Sequence, residues 1–449
     1  MITTNLDNLA SEIAEVANEF SKEIDLTLNA AFNGDKMSVE VVFADKTYNY
    51  SYDLKYENEL ERKRYVKRYA KLSAYKTLCD HYGEKMPWGA LTGIRPTKLA
   101  YQQGENWRDF FINDMLVSAD KTELIGKILD AQKPYMVKAG GVNDLFVSIP
   151  FCPTRCAYCS FLSCEIGREK HVNEYIAALI KEIEVAKRLG LNYRSIYVGG
   201  GTPVSIETPL LKTVLDALSD IKTQEFTVEA GRPDCITEEK LKLLKDHGVT
   251  RVCVNPQTFS DKTLSVIGRK HSVKDVIEKY ELTKSFGFTV NMDLIAGLPE
   301  ETFEDFKYSI DKAIELYPEN VTVHTLCLKK GSKLKESVER LSAGEVDKMV
   351  DYAHAALFSA GYVPYYLYRQ KYMAGNLENT GYERNDTACI YNIDIMEEIG
   401  SIVACGANGV SKRVFGDENR IERLAAPKDI LTYLNKINLI ISDKNELFA

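Results

Sequence analysis

Six strand-like runs, at 145–149, 195–198, 225–228, 250–254, 289–295 and 321–326, alternate with helical apolar spacings such as 169–189, 237–246, 273–286 and 304–316. Strands separated by helices pair in parallel, with the helices packed on the sheet. Such a stretch folds as a partial (βα)6 barrel or a doubly wound layer, an α/β class, and in either architecture ligands gather at the carboxyl ends of the strands. Chemically expressive residues fall at those ends: a cysteine loop after the first run, Gly199-Gly-Gly-Thr-Pro203 after the second, Glu229 after the third, Asn255-Pro-Gln257 after the fourth and Asp293 within the fifth.

The flanks read differently. In residues 1–140, Asn33-Gly34-Asp35 and the alternation at 38–43 and 47–52 predict antiparallel strands, followed by a helix across 57–81 that Gly83 would stop. This is the expected N-terminal α+β domain. Residues 141–340 are the expected core, and 341–449 an α-rich, substrate-facing extension. The extension carries helices near 345–358 and 429–437, a strand candidate at 362–368 and a polar, glycine-punctuated loop from Arg369 to Tyr382. The basic run Arg62-Lys-Arg64 with Lys67, Arg68 and Lys71 reads as the solvated face of the first helix. With a net charge of -8, no nucleic-acid partner is expected.

The first run leads into Cys152-Pro-Thr-Arg-Cys-Ala-Tyr-Cys159. Three thiolates from one loop suit a cuboidal iron-sulfur cluster with one iron left for a substrate or cofactor. A structural zinc site needs a fourth Cys or His at matching spacing, and His171 lies in the following helical pattern, so zinc is disfavoured. Cys164 is the open alternative, since it could close the fourth iron and leave a purely electron-carrying cluster. Ten cysteines in 449 residues fall below disulfide-scaffold density. With no bilayer-length apolar stretch and no signal-like start, the expectation is a cytoplasmic protein without a membrane span.

The glycine run lets backbone approach a ligand closely, but Pro203 and Val204 supply neither the lysine nor the helix entry of a phosphate loop. Glu229 suits ribose hydroxyls, and Gln257, Arg269 and Asp293 add polar contacts around the same mouth.

Together, Ser148-Ile-Pro-Phe-Cys-Pro-Thr-Arg-Cys-Ala-Tyr-Cys-Ser-Phe161, Val198-Gly-Gly-Gly-Thr-Pro203, Asn255-Pro-Gln-Thr-Phe259, Gly268-Arg-Lys-His271 and Asp293-Leu-Ile-Ala-Gly-Leu-Pro299 resemble the radical S-adenosylmethionine (SAM) superfamily, within its oxygen-independent coproporphyrinogen III oxidase-like group. Leu91-Thr-Gly-Ile-Arg-Pro-Thr-Lys-Leu99 and Tyr368-Arg-Gln-Lys with Gly375-Asn-Leu-Glu-Asn resemble its coproporphyrinogen dehydrogenase HemZ branch. The resemblance implies a partial (βα)6 radical SAM barrel. Cys152, Cys156 and Cys159 would ligate a [4Fe-4S] cluster, and Tyr158 would lie against the adenine of S-adenosylmethionine. Gly201 and Thr202 would hold the methionine end, Glu229 the ribose, and Gln257, Arg269 and Asp293 the remaining contacts. The group's decarboxylating oxidases bind a second S-adenosylmethionine, have a tyrosine six residues before the first ligand and place an extra cysteine two after the third. Here Phe146 and Phe161 stand at those positions, which puts that second site in doubt.

The implied activity is oxidative decarboxylation of coproporphyrinogen III to protoporphyrinogen IX in heme biosynthesis by a 5′-deoxyadenosyl radical, with a flavodoxin or ferredoxin as electron donor. Arg95, Arg369 and Lys371 are the expected partners of the tetrapyrrole propionates. The competing expectations are a heme-binding or heme-delivery protein, with His81, His324, Cys235 or Cys253 as axial ligands, a radical heme-opening methyltransferase, and an RNA-base-modifying enzyme.

Overall fold

The computed structural model describes residues 1–20, 23–92, 95–159, 164–327, 343–370, 373, 376–418 and 420–449. Contacts divide the chain into two compact units, Met1–Gly126 with Arg369–Glu378, and Lys127–Tyr368 with Asn379–Ala449.

The first unit is α+β. Strands β1 (Ile2–Thr4), β2 (Leu26–Asn33), β3 (Lys36–Phe43) and β4 (Lys46–Asp53) form one sheet in that order. Two-residue turns set the register. Gly34 takes φ 57° in the first, and Ala44 and Asp45 both take positive φ in the second, matching the twist of the strands they join. Met37, Val39, Val41 and Phe43 alternate onto the buried face against helices Ala10–Phe20 and Glu59–Tyr82. The long helix starts where Asn58 accepts from the Glu61 amide and ends at Gly83, φ 71°, whose N–H reaches Cys79 O. Lys71, read as part of that helix's solvated face, is instead buried and donates to Thr92 Oγ1 at 3.0 Å.

In the second unit β5 (Val142–Ile149) is followed by a two-stranded clip, β6 (Phe151–Cys152) and β7 (Cys164–Glu165). Then come β8 (Tyr193–Gly200), β9 (Glu225–Glu229), β10 (Arg251–Cys253), β11 (Thr289–Ala296) and β12 (Asn320–Thr325). Apart from the clip these lie side by side in chain order, all parallel, as the six-unit pattern requires. Capping boxes at Ser272 with Asp275 and at Thr302 with Asp305 start two of the helices between strands.

The C-terminal region is less purely helical than expected. It carries β13 (Val363–Tyr368), β14 (Asn379–Glu383), β15 (Gly400–Cys405), β16 (Val410–Phe415) and β17 (Arg420–Ala425) besides its helices. β15 extends the parallel set beside β5, followed by antiparallel β16 and β17, and β14 pairs antiparallel with β12, followed by β13, giving eleven strands among the described residues. Between β13 and β14 the chain leaves this sheet for residues 369–378, which belong to the first unit, and it returns with Tyr368 and Asn379 opposite one another.

The amino ends of the strands are tied by charge. Arg251 is buried, pairs with Glu225 at 2.9 Å and donates to Thr387 O, while Arg194 pairs with Asp394 at 3.0 Å. At the other end, helix Ile430–Phe448 packs on helix Val172–Arg188 through a buried Lys444–Glu182 pair. Among the described residues no helix is long and apolar enough to cross a membrane.

Candidate functional site

Pro150 ends β5, and the next residues turn into the clip, where Phe151 faces Cys164. The cysteine loop that follows is held by three hydrogen bonds: Ala157 N donates to Ile267 O at 2.9 Å, Thr154 Oγ1 to Gly268 O at 3.3 Å and Cys159 N to Cys156 O at 3.1 Å. Cys156 is buried, and Cys152 and Cys159 are half-buried. Cys164 is fixed by the clip, its amide donating to Pro150 O at 2.8 Å. Burial and the adjacent Glu169 carboxylate push its thiol up, whereas metal ligation requires a thiolate.

The glycine run lies directly on this loop. Gly201 N donates to Ile149 O and Thr202 N to Phe151 O, and Cys152 Sγ lies 3.5 Å from Thr202 Oγ1. A Cβ on Gly201 would stand 2.6 Å from Phe151 O and 2.9 Å from Phe151 N, both backbone atoms that cannot swing aside. Gly201→Ala is therefore expected to displace the loop at a cost of about 1–3 kcal/mol, read as a lower melting temperature together with weaker S-adenosylmethionine binding by calorimetry.

Inside the barrel, the half-buried residues of the parallel strands make a polar and aromatic lining. Tyr197 OH donates to Glu229 Oε1 at 2.5 Å. Burial raises the Glu229 carboxyl to about 7, with the neighbouring Asp293 adding to the shift and Tyr197 and His324 opposing it. Asp293 moves the other way: burial alone would raise it, but His324, Asn291 and Thr322 bring it below the usual range. Asn291 Nδ2 donates to Asp293 at 2.7 Å, His324 Nε2 lies 3.8 Å from it, and Tyr368 OH lies 3.4 Å from His324 Nδ1. Phe146 stacks with Tyr197 and with Tyr391 of helix Ile390–Glu397, so the ring that replaces the group's tyrosine joins an aromatic wall.

Gln257 is buried at φ 69°, a strained value for a side-chain-bearing residue, and is held there by its amide on Asp293 O and its carbonyl on Ile295 N. The next residue, Thr258, donates to Glu301 Oε1 at 2.6 Å. Burial raises Glu301 from 4.5 to about 8. The folded state thus keeps a proton that the unfolded chain releases above pH 4.5, so this contribution is complete below that pH and is lost as pH climbs through about 8. Glu301→Gln keeps the acceptor for Thr258 and removes the titration. Its stability should match the wild type near pH 5 and exceed it above pH 8 by on the order of a few kcal/mol, at 1.36 kcal/mol per unit, read as a higher melting temperature.

Arg269 spans the mouth, donating to Asn255 O at 2.5 Å, Gly231 O at 3.3 Å and Tyr158 OH at 3.1 Å. Despite burial, the Tyr158 hydroxyl and the Cys156 thiol raise its pKa. The sequence reading missed Arg232, whose Nη1 reaches Thr154 Oγ1 and Cys156 Sγ. Its local signal was a basic residue in the Gly231-Arg-Pro-Asp234 turn just past Glu229.

Of the expected substrate cations, Arg95 and Arg369 belong to the first unit. Arg369 is 4% exposed within the first unit, donates to Leu91 O and Asn376 O at 2.6 Å each and lies over the Trp88 ring. Burial lowers it to about 10. Two of its guanidinium nitrogens are thus engaged within the fold. Arg95 is half-buried at the N-cap of helix Pro96–Gln103, and Lys371, like Phe161, lies outside the described residues. His81 packs edge-on against Phe43 and Tyr82 in the first unit, Cys253 is buried in β10, Cys235 ends a turn after β9 and His324 faces Asp293.

The residues present fit an iron-sulfur cluster with S-adenosylmethionine. Three soft donors come from one clamped loop, the glycine edge carries no side chains, and Asn255 Oδ1 and Arg269 Nε are buried at the mouth without hydrogen-bond partners among the described residues.

Comparisons with known proteins agree. The family profile described as radical SAM superfamily matches residues 146–313. The chain is 36% identical to the oxygen-independent coproporphyrinogen-III oxidase-like protein HemZ of Bacillus subtilis, over 98% of its own length and 93% of the relative's. It is 37% identical to the heme chaperone HemW of Bacillus subtilis, over 41% of the chain and 50% of that protein. The coproporphyrinogen III oxidase HemN of Escherichia coli, described as a radical SAM enzyme, shares the fold at TM-score 0.54 and 19% identity, over 69% of this chain and 72% of that one.

Proposed function

Since this chain belongs to the radical SAM superfamily, in its oxygen-independent coproporphyrinogen III oxidase-like group, we propose that it is a coproporphyrinogen dehydrogenase-like enzyme that decarboxylates tetrapyrrole propionates, coproporphyrinogen III to protoporphyrinogen IX. Members of the superfamily use a [4Fe-4S] cluster and S-adenosylmethionine. What carries the proposal is the cysteine loop against the Gly201–Thr202 edge, above a barrel lined by Phe146, Tyr197 and Tyr391. The pyrrole rings of a porphyrinogen suit that aromatic wall.

Cys152, Cys156 and Cys159 hold the cluster. Gly201 and Thr202 receive the methionine end of the cofactor, Tyr158 its adenine and Glu229 its ribose, while Gln257, Arg269 and Asp293 complete the contacts. When bound, these groups would supply a 5′-deoxyadenosyl radical for taking a hydrogen atom from a propionate β-carbon; loss of carbon dioxide to leave a vinyl group then requires a one-electron acceptor for the electron released. The protein's part is positional. The clamped loop fixes the ligands, the aromatic wall orients the macrocycle and keeps water from it, and the Glu229 carboxyl, raised to about 7 by burial, meets the ribose hydroxyls as a donor or an acceptor. The electron comes from a flavodoxin or ferredoxin in a reducing cytoplasm. Arg95 remains the candidate partner of a propionate, with Lys371 beside it in the proposal.

The test is anaerobic reconstitution with iron and sulfide, then incubation with dithionite, S-adenosylmethionine and coproporphyrinogen III. Protoporphyrinogen IX together with 5′-deoxyadenosine supports the proposal, and 5′-deoxyadenosine without porphyrinogen turnover rejects that substrate. The similarity to heme chaperones favours heme delivery as a second reading. A stoichiometric Soret band on adding hemin, without turnover, would select it.

A further inference from the structure

Arg232 follows Glu229 by three residues, in the turn that leaves β9, and is 2% exposed. Such a cation inside a protein needs its donors occupied. Asp234 occupies two of them, its carboxylate oxygens accepting from Nε and Nη2 at 2.9 Å each in a bidentate fork. His271 stands behind that carboxylate, Nδ1 at 3.6 Å from Oδ1. With two nitrogens fixed, the planar guanidinium has one direction left for the third. Nη1 points at the cysteine loop, donating to Thr154 Oγ1 at 3.0 Å and to Cys156 Sγ at 3.8 Å.

We propose that Arg232 is a positioning residue that sets the redox potential of the iron-sulfur cluster, by donating a charge-assisted hydrogen bond to the Cys156 ligand sulfur. The inference rests on the cluster assignment. A one-electron reduction adds a negative charge to the cluster and its thiolates, so an N–H dipole held against one ligand sulfur stabilises the reduced form more than the oxidised form. The Asp234 fork makes the donor rigid, so little reorganises as the charge arrives. Removing the donor should therefore lower the midpoint potential and leave the cluster harder to reduce by its protein donor.

The experiment titrates the anaerobically reconstituted full chain against dithionite, one electron per cluster, followed by the electron paramagnetic resonance of the reduced cluster. Wild type is compared with Arg232→Met and Arg232→Lys at matched iron and sulfide content. The expected result is a lower midpoint potential for Arg232→Met and an intermediate one for Arg232→Lys, which keeps a cation but not the fork. If the methionine variant takes up too little iron, the lysine variant decides, with a value below wild type expected. A fully loaded variant that titrates at the wild-type potential overturns the proposal. Variants that melt like wild type yet load no cluster also overturn it, assigning Arg232 to retention of the ligand alone. Wild-type protein that forms no cluster refutes the cluster assignment instead, a separate failure.

Discussion

Protein carrying Cys156→Ala is expected to retain almost no iron or sulfide after anaerobic reconstitution and to form no measurable 5′-deoxyadenosine, while Cys164→Ala keeps both near wild type. Outer-shell substitutions alone cost about 10–100-fold in metal affinity, and Cys156 is the loop thiol that Arg232 and Arg269 both approach. Cys164 differs in its surroundings. The clip sets it opposite Phe151, and burial, with Glu169 beside it, pushes its thiol up. Iron and sulfide assay with cleavage of S-adenosylmethionine reads both variants. Loss of the cluster in Cys164→Ala would mean that the fourth iron is closed and the radical chemistry excluded.

Lys444→Met should cost about 3–5 kcal/mol, the range for stripping one partner from a buried ion pair, and lower the melting temperature by on the order of 5–10 °C. Lys444 is 1% exposed and Glu182 fully buried. Beyond their ion pair, Glu182 accepts from Gly406 N at 2.7 Å and Tyr433 OH at 2.6 Å, and Lys444 donates to Ala404 O at 2.7 Å. The methionine leaves that carboxylate charged in the interior. Glu182→Gln with Lys444→Met should recover much of the loss, because no unpaired charge remains. The network also reaches the catalytic face. A Cβ on Gly406 would stand 2.6 Å from Ser148 O, and Tyr175 OH donates to that same carbonyl four residues before Cys152. Lys444→Met should therefore also shed iron faster, measured by chelator-induced bleaching. An unchanged melting curve would show the pair to be dispensable.

What could be read from the sequence was whatever repeats locally. Apolar runs between amphipathic helices announced the six parallel strands, and the spacing of Cys152, Cys156 and Cys159 put three thiols on one loop. β3 showed itself through its alternation. β15 did not, because all six residues of Gly400–Cys405 are buried and no period of two survives. β14, Asn379–Glu383, hid inside a polar stretch that read as loop, since its strand character comes from pairing with β12 and β13. Charge was less legible. Lys71 read as part of a solvated face and Arg232 drew no reading, yet both are buried with partners distant in sequence. The roles of Tyr197 and His324 likewise depend on which strands become neighbours.

The detour of residues 369–378 constrains how the polypeptide can mature on the ribosome. Trp88 Nε1 and Lys121 Nζ both donate to Glu378, at 2.6 and 2.7 Å, so the amino-terminal third emerges long before the acceptor that completes its interior has been translated. A fragment ending near residue 126 should be protease-sensitive when made alone, and adding the 369–378 peptide in trans should restore part of its protection.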